Sequence, residues 1–545
     1  MSASYLDAGV TCFLNWQSQG HNASKFTARV FLCPYVNAKA EYREVAKAAK
    51  NNSIMSVKQS GQVFTPHYLV CNILDVANYS GKCILQKHII DNSCGNGAFL
   101  CEIIHRYCKE FLTESTDKEN LKKELQSYIH GIEIDEVAYR DCISNLNQIA
   151  STYGMENVDW DVRNDDTLKV RLFDEKMDYV IGNPPYVRVH NLNNQYSEVK
   201  KHRFAGSGMT DLYLVFFEIG FEMLKQGGKL CYITPSSWLS SIAGNLLRQS
   251  IQNQRNLLEL VDLGHYQAFE GATTYTLISL FEKGSKHNSF MYSCYDEVSL
   301  HKKEVERLNI EEAFIDGCIY LADKQSLHLL KGIKRDNIGK YVSVKNGFAT
   351  LADKVFIKTD FPFNEFIIPC IKASTGKWVK AFFPYNKQGK PYPQNKIFEN
   401  KEVAIHLNEH KEILLKGKDE KAFPEWYLYG RTQALKDVWT DKYAINTCIK
   451  DVESIKLNKV PAGCGLYSGL YILTDIQEKI LRDIIESQEF INYIRMLKKY
   501  KSGGYYTFSS KDLELYINYK IEQIKSNDHE TDKPTILDGN FTIIW

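Results

Sequence analysis

The stretch Asp91-Asn92-Ser93-Cys94-Gly95-Asn96-Gly97 decides the fold of this 545-residue chain. The run Cys83–Ile90 before it predicts a strand, and the apolar spacing of Ala98–Ile104 after it predicts a helix. A strand, a Gly-x-Gly loop and a helix in this order let a ligand approach the backbone closely. The third glycine of the dinucleotide fingerprint is missing, and Asp91 suits an amino-bearing ligand better than a pyrophosphate. The stretch therefore predicts an α/β domain with a ligand site at a strand end.

Acidic residues also occur at two later points in the series of predicted strands. The segment Tyr128–Asp135 predicts a strand that includes Glu133, and a carboxylate at such a strand end can bind both ribose hydroxyls of an adenosine. Asp165 and Asp166 precede the strand that ends at Asn183. One such carboxylate alone is more often a solvated helix cap. A series of them at successive strand ends predicts one shared ligand site.

The tetrapeptide Asn183-Pro184-Pro185-Tyr186 follows an apolar run and is suited to a planar exocyclic amine. The Asn183 side-chain oxygen and the Pro184 carbonyl can both accept hydrogen bonds from one NH2 group, and the two prolines stiffen the backbone. Tyr186 offers an aromatic face on which a base can stack. The alternative is a structural turn, because proline pairs are common in loops. The neighbouring motifs favour the ligand site.

Downstream, the pattern predicts a helix from Leu212 that ends at the glycines 227 and 228, then a strand over 230–234. A final strand pair is predicted over 258–263 and 274–281. These elements complete a mainly parallel sheet with its ligand sites at the carboxyl ends of the strands.

Together, these motifs resemble the adenine-N6 DNA methyltransferases of bacterial restriction–modification systems, of the TaqI-like (gamma) type in which the cofactor loop precedes the catalytic loop. The resemblance extends from about Gly61 nearly to the C-terminus. It implies a Rossmann-like class I S-adenosylmethionine-dependent methyltransferase domain followed by a mixed α/β target-recognition domain. We expect an N-terminal extension over 1–55, the methyltransferase domain over 56–320 and the DNA target-recognition domain over 321–545.

The resemblance also implies a set of site residues. Those that would bind S-adenosylmethionine are Thr65 in the opening motif Gly61–Pro66, the loop residues Asp91, Cys94, Gly95 and Gly97, the ribose-binding Glu133, the adenine-packing Ile134, and Asp166 with Asp165 as the fallback. Those that would be catalytic are Asn183, Pro184 and Tyr186, with Tyr186 and Phe269 stacking on the flipped target base. A place in the apolar core is the rival interpretation for Phe269. Asn92 departs from the family pattern, in which proline is common. No metal is implied.

The C-terminal portion contains stretches similar to target-recognition domains, at 347–356, 426–433 and 467–472. The residues predicted to meet DNA phosphates are Arg431, Arg495, Lys498, Lys499 and Lys501. For each lysine taken alone, a solvated surface position is the commoner role.

Whole-chain properties set wider bounds. The net charge of +1 does not itself indicate nucleic acid, although it permits a one-sided basic cleft. Fourteen cysteines without a Cys-x-x-Cys pair disfavour zinc ribbons and fit a reducing bacterial cytoplasm. No apolar segment is long enough to cross a bilayer. The segment 187–210 predicts a mobile loop beside the catalytic residues.

The expected activity is methyl transfer from S-adenosylmethionine to the N6 amine of a flipped adenine in a short double-stranded DNA sequence. The chain would act as a monomer near the nucleoid, with a cognate restriction endonuclease as partner or as an orphan. One alternative is a fused restriction–modification enzyme with weak nuclease activity, for which the segment 1–55 is short. A second alternative is methylation of a protein glutamine amide, which the large C-terminal portion disfavours, and a third is methylation of RNA. A fourth is methyl transfer to the N4 amine of cytosine, but the enzymes that do this commonly have serine in place of Asn183. A non-catalytic regulator would be expected to have lost Asn183 or Asp91.

Overall fold

The computed structural model describes most of the chain. The described residues are 65–189, 196–206, 210–269, 274–296, 299, 301–335, 337–417, 421 and 423–530, without the side chains of 196 and 527–530. The predicted N-terminal extension, the residues Gly61 to Phe64 of the opening motif and part of the predicted loop over 187–210 lie outside them.

The chain divides into two compact units. The first comprises Met1–Thr234, Ala268–Ala272 and Ile278–Gly284, and the second comprises Pro235–Gln267, Thr273–Leu277 and Ser285–Trp545. The predicted domain boundaries at residues 56 and 320 stay predictions.

The first unit is built on a parallel sheet. Its strands are β1 Ile89–Asp91, β2 Ile129–Glu133, β3 Asp161–Asn164, β4 Met177–Gly182, β5 Leu224–Pro235 and β7 Thr276–Glu282. The division into units assigns Pro235 of β5 and Thr276 and Leu277 of β7 to the second unit. They lie in the order β3-β2-β1-β4-β5-β7. The pairs β3–β2, β2–β1, β1–β4 and β4–β5 are all parallel. The carboxyl ends of β1, β2 and β4 therefore meet at one edge of the sheet, as predicted.

The first unit also contains helices. They are α1 His67–Val76, α2 Ala98–Glu114, α3 Lys118–Tyr128, α4 Glu136–Thr152, α5 Tyr196–Val199 and α6 Leu212–Met223. Helices α3 and α4 begin after Asp117 and Asp135, whose carboxylates accept hydrogen bonds from Asn120 N and Ala138 N. Most of α6 is buried, as expected for a helix that is apolar on nearly all sides.

Two predicted elements have different bounds in the structure. The strand predicted over 83–90 begins only at Ile89, because Lys82–Ile84 form a 3-10 turn and Gln86 has a φ of 59°. A left-handed residue cannot continue a strand. The helix predicted to end at the glycines already ends at Met223, and β5 starts at Leu224.

The second unit contains the remaining described strands. Three of them, β6 Leu257–Asp262, β8 Ser289–Asp296 and β9 His301–Asn309, lie adjacent to one another in this order. The smaller sheets contain β10 Phe314–Ile315, β11 Cys318–Ile319, β12 Ser343–Asn346, β13 Ile357–Lys358, β14 Ile367–Lys372, β15 Lys377–Phe382, β16 Lys442–Ile445, β17 Cys448–Ile449, β18 Leu457–Val460, β19 Gly465–Tyr467, β20 Leu470–Leu473, β21 Tyr500–Lys501 and β22 Tyr505–Thr507. The predicted strands at 258–263 and 274–281 correspond to β6 and β7, but they are not the last of the sheet.

The helices of the second unit make it a mixed α/β structure, as predicted. They are α7 Asn245–Gln254, α8 Ile310–Ala313, α9 Lys324–Ile333, α10 Asp353–Phe356, α11 Gln394–Glu399, α12 Lys401–Glu409, α13 Lys411–Leu415, α14 Glu478–Ile485, α15 Gln488–Met496 and α16 Ser510–Glu530. Among the described helices of the whole chain, none combines the length and the apolar character that a membrane span needs.

Aromatic side chains dominate one core of the second unit. Phe348, Phe356, Phe382 and Tyr429 are buried there, and the Tyr429 hydroxyl donates to Phe382 O over 2.7 Å. The stretches 347–356 and 426–433, which the sequence assigns to target recognition, therefore contribute largely to packing.

Candidate active site

The loop after β1 has a shape that requires glycine at two positions. Gly95 and Gly97 have φ values of 52° and 87°, and Gly97 is the N-cap residue immediately before α2. A Cβ on Gly97 would lie 2.8 Å from Cys142 Sγ on α4. Cys94 is buried beneath the loop, with its sulfur 4.0 Å from that of Cys142. The backbone of the loop is thus exposed to a ligand on one side and closely packed on the other.

Glu133 links the end of β2 to this loop. Its Oε2 accepts a hydrogen bond from Gly95 N over 2.8 Å, and its Oε1 accepts one from Asp135 N over 2.9 Å. The neighbouring Ile134 is 56% exposed, although it is a large apolar residue. A carboxylate can accept hydrogen bonds from ribose hydroxyls, and an exposed apolar side chain offers a surface on which an adenine ring can pack.

Asp91 is buried at the end of β1. Its Oδ1 accepts a hydrogen bond from Ser93 N over 3.1 Å. A Cβ on Gly182, the last residue of β4, would lie 2.6 Å from that same oxygen, so only glycine fits there. Burial raises the pKa of Asp91 from 3.8 to about 7, against the opposing effect of the Ser93 hydrogen bond. A cationic ligand group would favour the charged form.

Asn92, which departs from the family pattern, is fully buried and makes two connections. Its Oδ1 accepts a hydrogen bond from the Tyr232 hydroxyl of β5 over 2.9 Å, and its backbone oxygen accepts one from Thr167 Oγ1 over 2.6 Å. The second bond holds the segment of Asp165 and Asp166 near the loop. Asp166 Oδ1 caps Leu168 N over 3.1 Å, whereas Asp165 is exposed.

The tetrapeptide Asn183–Tyr186, which the sequence predicts to be the catalytic loop, lies directly after β4. Asn183 Nδ2 donates a hydrogen bond to the buried Thr65 Oγ1 over 3.2 Å, and Ser93 Oγ donates to the Asn183 backbone oxygen over 3.4 Å. Because the amide nitrogen is directed to Thr65, the amide presents Oδ1 as its acceptor. Pro184 is buried behind it.

Three aromatic rings meet beside this loop. The Tyr186 hydroxyl donates to Ile233 O over 3.1 Å, which fixes the direction of the ring. The Phe269 ring lies edge-on to it with centroids 6.1 Å apart, and Tyr213 of α6 does so at 6.2 Å. Phe269 is therefore beside Tyr186, while its role in stacking stays a prediction. The sequence reasoning missed Tyr213, whose signal was its place at the start of a helix that follows the catalytic loop.

The predicted DNA-binding residues differ in their surroundings. Lys498 Nζ lies 3.4 Å from Asp262 Oδ2 and donates to the Tyr292 hydroxyl over 3.1 Å. Lys499 Nζ pairs with Asp512 over 2.5 Å, and Arg495 donates to Lys450 O over 3.1 Å. Arg431 and Lys501 are exposed. Contact with DNA stays a prediction for all five.

The sheet order, the glycine loop after β1 and the acidic end of β2 define the class I S-adenosylmethionine-dependent methyltransferase fold. Residues 34–269 match the family described as Eco57I restriction-modification methylase. The predicted resemblance to the methyltransferases of restriction–modification systems is thereby confirmed for this part of the chain.

Individual relatives agree with the family match. The chain is 25% identical over 487 residues to the type II restriction enzyme and methyltransferase RM.Eco57I of Escherichia coli, covering 70% of this chain and 48% of that one. It is 28% identical to the type II methyltransferase M.BstVI of Geobacillus stearothermophilus, covering 45% and 46%. The chain thus spans about half the length of these relatives. The type IIL restriction-modification enzyme MmeI, solved with DNA, has the same fold, with a TM-score of 0.58 and 14% identity over 92% of this chain and 71% of that one.

Proposed function

We propose that this protein transfers a methyl group from S-adenosylmethionine to the N6 amine of a flipped adenine in double-stranded DNA. It would act as a monomer, either as the modification part of a restriction–modification system or as an orphan methyltransferase. The observation that carries the proposal is the position of the Asn183 amide. It is held by Thr65 next to the loop after β1, with Tyr186 beside it.

The residues at the strand ends suit the cofactor. Asp91, buried and with a raised pKa, would hold its amino group, and Glu133 would bind the ribose hydroxyls. The exposed Ile134 would pack on the adenine, and the absence of a Cβ at Gly97 keeps the loop close-packed. When bound, S-adenosylmethionine supplies an electrophilic methyl group on a positively charged sulfur.

The catalytic loop would prepare the amine of the target base. An adenine amine is a poor nucleophile, because its lone pair is delocalised into the ring. Asn183 Oδ1 and the Pro184 carbonyl would accept hydrogen bonds from the two N–H groups of this amine. These hydrogen bonds favour a more tetrahedral nitrogen, whose lone pair is available. Positive charge then develops on the nitrogen, so these preorganised acceptors stabilise the transition state more than the ground state.

The aromatic rings would hold the base outside the duplex. Flipping costs a few kcal/mol, and stacking on an aromatic face returns roughly 1–3 kcal/mol for each face. The bond from the Tyr186 hydroxyl to Ile233 O keeps that ring in place before the base arrives. Phe269, at 6.1 Å from Tyr186, would close on the base from the neighbouring segment.

Modified-base sequencing tests the proposal. Genomic DNA would come from a methylation-free bacterial host that expresses the wild type, Asn183→Ala, or Asn120→Ala, an exposed asparagine of α3. We expect N6-methyladenine in one short motif for the wild type and Asn120→Ala, and none for Asn183→Ala, which still binds S-adenosylmethionine. Wild-type protein that binds the cofactor but leaves adenine unmodified would refute the proposal in favour of a protein-glutamine or RNA substrate.

A further inference from the structure

Three side chains with metal-ligating atoms meet between α1 and α2. His67 and Cys71 lie one turn apart on α1, and Glu102 reaches them from α2. His67 Nε2 is 3.6 Å from Cys71 Sγ and 3.9 Å from Glu102 Oε2. The three ligand atoms all lie within 4.8 Å of one another. Imidazole, thiolate and carboxylate are the ligand types that zinc takes in proteins.

Arg106 holds the carboxylate of this cluster in place. Its Nε donates to Glu102 Oε1 over 2.9 Å, while Oε2, the other oxygen, faces His67. Its two Nη atoms donate to Asp75 Oδ1 over 2.7 Å and to Cys71 O over 3.2 Å. Carboxylate ligands commonly have such an outer partner on the oxygen that does not bind the metal. The arginine therefore orients Glu102 without blocking Oε2.

The charges of the cluster also favour a cation. Asp75 and Glu102 carry two negative charges against the one positive charge of Arg106, which leaves these three side chains with a net negative charge. Binding of a divalent ion at Cys71 forms a metal–sulfur bond, breaks the S–H bond and releases that proton to solvent. The two positive charges of the ion then balance the net negative charge and the thiolate.

We propose that His67, Cys71 and Glu102 bind one Zn²⁺ ion, with water as the fourth ligand. Zinc–ligand bonds of about 2.0–2.3 Å place tetrahedral ligands roughly 3.3–3.7 Å apart. The two separations from His67 Nε2, 3.6 and 3.9 Å, are close to this range. Because the three ligand atoms all lie within 4.8 Å of one another, binding would require them to move together by no more than about 1 Å. His67, with 37% of its side chain exposed, leaves the solvent side open for the water. The ion cross-links α1 to α2 through His67, which lies two residues after Thr65. It takes no part in the chemistry of methyl transfer.

Cobalt titration tests this site independently of the proposed activity. Full-length protein is freed of metal with a chelator and titrated with Co²⁺, whose thiolate charge-transfer and visible d–d absorption bands report the ligands. We expect one Co²⁺ per chain, displaced by Zn²⁺, in the wild type and in Cys83→Ser, which changes an exposed cysteine. Cys71→Ser should lose the charge-transfer band, and His67→Ala should weaken Co²⁺ binding at least tenfold.

Two results would overturn the site: no charge-transfer band in the wild type, or the same band in Cys71→Ser. Serine is close to cysteine in size, so Cys71→Ser should fold, and circular dichroism checks this. If His67→Ala does not fold, the comparison of Cys71→Ser with Cys83→Ser decides alone. Elemental analysis of protein purified without chelator should give zinc near one atom per chain for the wild type and none for Cys71→Ser.

Discussion

The orientation of one side-chain amide determines what the loop after β4 can bind. Asn183 Nδ2 donates to Thr65 Oγ1, so Oδ1 is directed to the other side of the amide. The reversed amide would present its own NH2 to the NH2 of the substrate, and two donors would face each other. Thr65, expected from the resemblance to contact the cofactor, is thus also a positioning residue for Asn183.

Replacing Thr65 tests this positioning. Thr65→Val keeps the shape and removes the acceptor, and a lost hydrogen bond of about 1 kcal/mol predicts a methyl-transfer rate lower by a factor of roughly 5–10. Thr65→Ser should restore the rate. Single-turnover transfer at saturating cofactor measures it. If excess cofactor alone returns Thr65→Val to the wild-type rate, the residue acts only in cofactor binding.

The buried Asp91 predicts a pH dependence of cofactor binding. The pKa of about 7 in the ligand-free protein means that the carboxylate must lose a proton to pair with an amino group. Affinity should therefore fall up to tenfold for each pH unit below about 7, and level off above it up to the pH at which the amino group of the ligand itself loses its proton. Asp91→Asn should bind weakly and without this dependence. Calorimetric titration with S-adenosylmethionine between about pH 6 and pH 8 measures both. A flat wild-type profile would contradict the prediction.

The same residue affects stability with the opposite sign. In the ligand-free protein the pKa of Asp91 is raised above its ordinary value of 3.8, so the folded state binds the proton more tightly than the unfolded state. The contribution of Asp91 to the free energy of unfolding therefore falls as the pH rises from about 4 to about 7, and is constant above.

Among the elements, β5 connects the two loops of the site. The Tyr232 hydroxyl donates to Asn92 Oδ1 in the loop after β1, and the adjacent Ile233 carbonyl accepts from Tyr186 in the catalytic loop. A shift of this strand would move both loops together. The family often has proline at position 92, whereas this chain buries an amide there. The hydrogen bond from Tyr232 gives that buried amide the partner that it needs.

Tyr232→Phe tests this connection. The change leaves Asn92 Oδ1 buried without its donor, which should lower the free energy of unfolding by about 1–3 kcal/mol. Tyr128→Phe, at the half-buried end of α3, is the control and should change it by less than about 0.5 kcal/mol. Urea denaturation followed by circular dichroism gives both values. Equal stabilities for the two variants would show that the bond contributes nothing.

In the second unit, an ion pair between a buried carboxylate and a half-buried lysine joins β6 to the segment before β21. Asp262, at the end of β6, accepts a hydrogen bond from the Tyr500 hydroxyl over 2.5 Å and faces Lys498 at 3.4 Å. Asp262→Ala would leave the lysine without its charge partner and should destabilise the protein by roughly 3 kcal/mol. The double variant with Lys498→Met should recover part of this loss. Thermal unfolding of the wild type, the two single variants and the double variant measures these losses of stability. If the loss in the double variant equals the sum of the losses in the single variants, Asp262 and Lys498 are not coupled.

For the whole molecule, exposure separates the candidate DNA contacts. Arg431 and Lys501 are exposed, whereas Lys499 is paired with Asp512. Arg431→Ala and Lys501→Ala should each reduce the slope of log affinity against log salt by about 1, whereas Lys499→Ala should not. Fluorescence anisotropy with duplex DNA at several salt concentrations measures the slope. The same slope for all three variants would mean that phosphates are bound elsewhere.

The sequence predicted the positions of the candidate site residues relative to the strands well where the pattern was local. The loop of Gly95 and Gly97, Glu133 at the end of β2 and Asn183 after β4 all lie at the predicted strand ends, because parallel strands present those ends at one edge. It erred over residues 83–88, because nothing local revealed the left-handed Gln86. Tyr213 and Tyr232 were not assigned to the site, because α6 and β5 bring them there from distant parts of the chain.

The sequence by itself thus determined the sheet class, the order of its motifs and the resemblance to restriction–modification methyltransferases, since these depend on short-range periodicity and on contiguous motifs. Only the tertiary structure decided that Thr65 holds the Asn183 amide, that Lys498 is paired with Asp262, and that Glu102 meets His67 and Cys71 of α1. The physical reason is that such contacts join side chains from separate segments. Hydrogen bonds and ion pairs act over about 3–4 Å, a separation that packing sets and residue order does not.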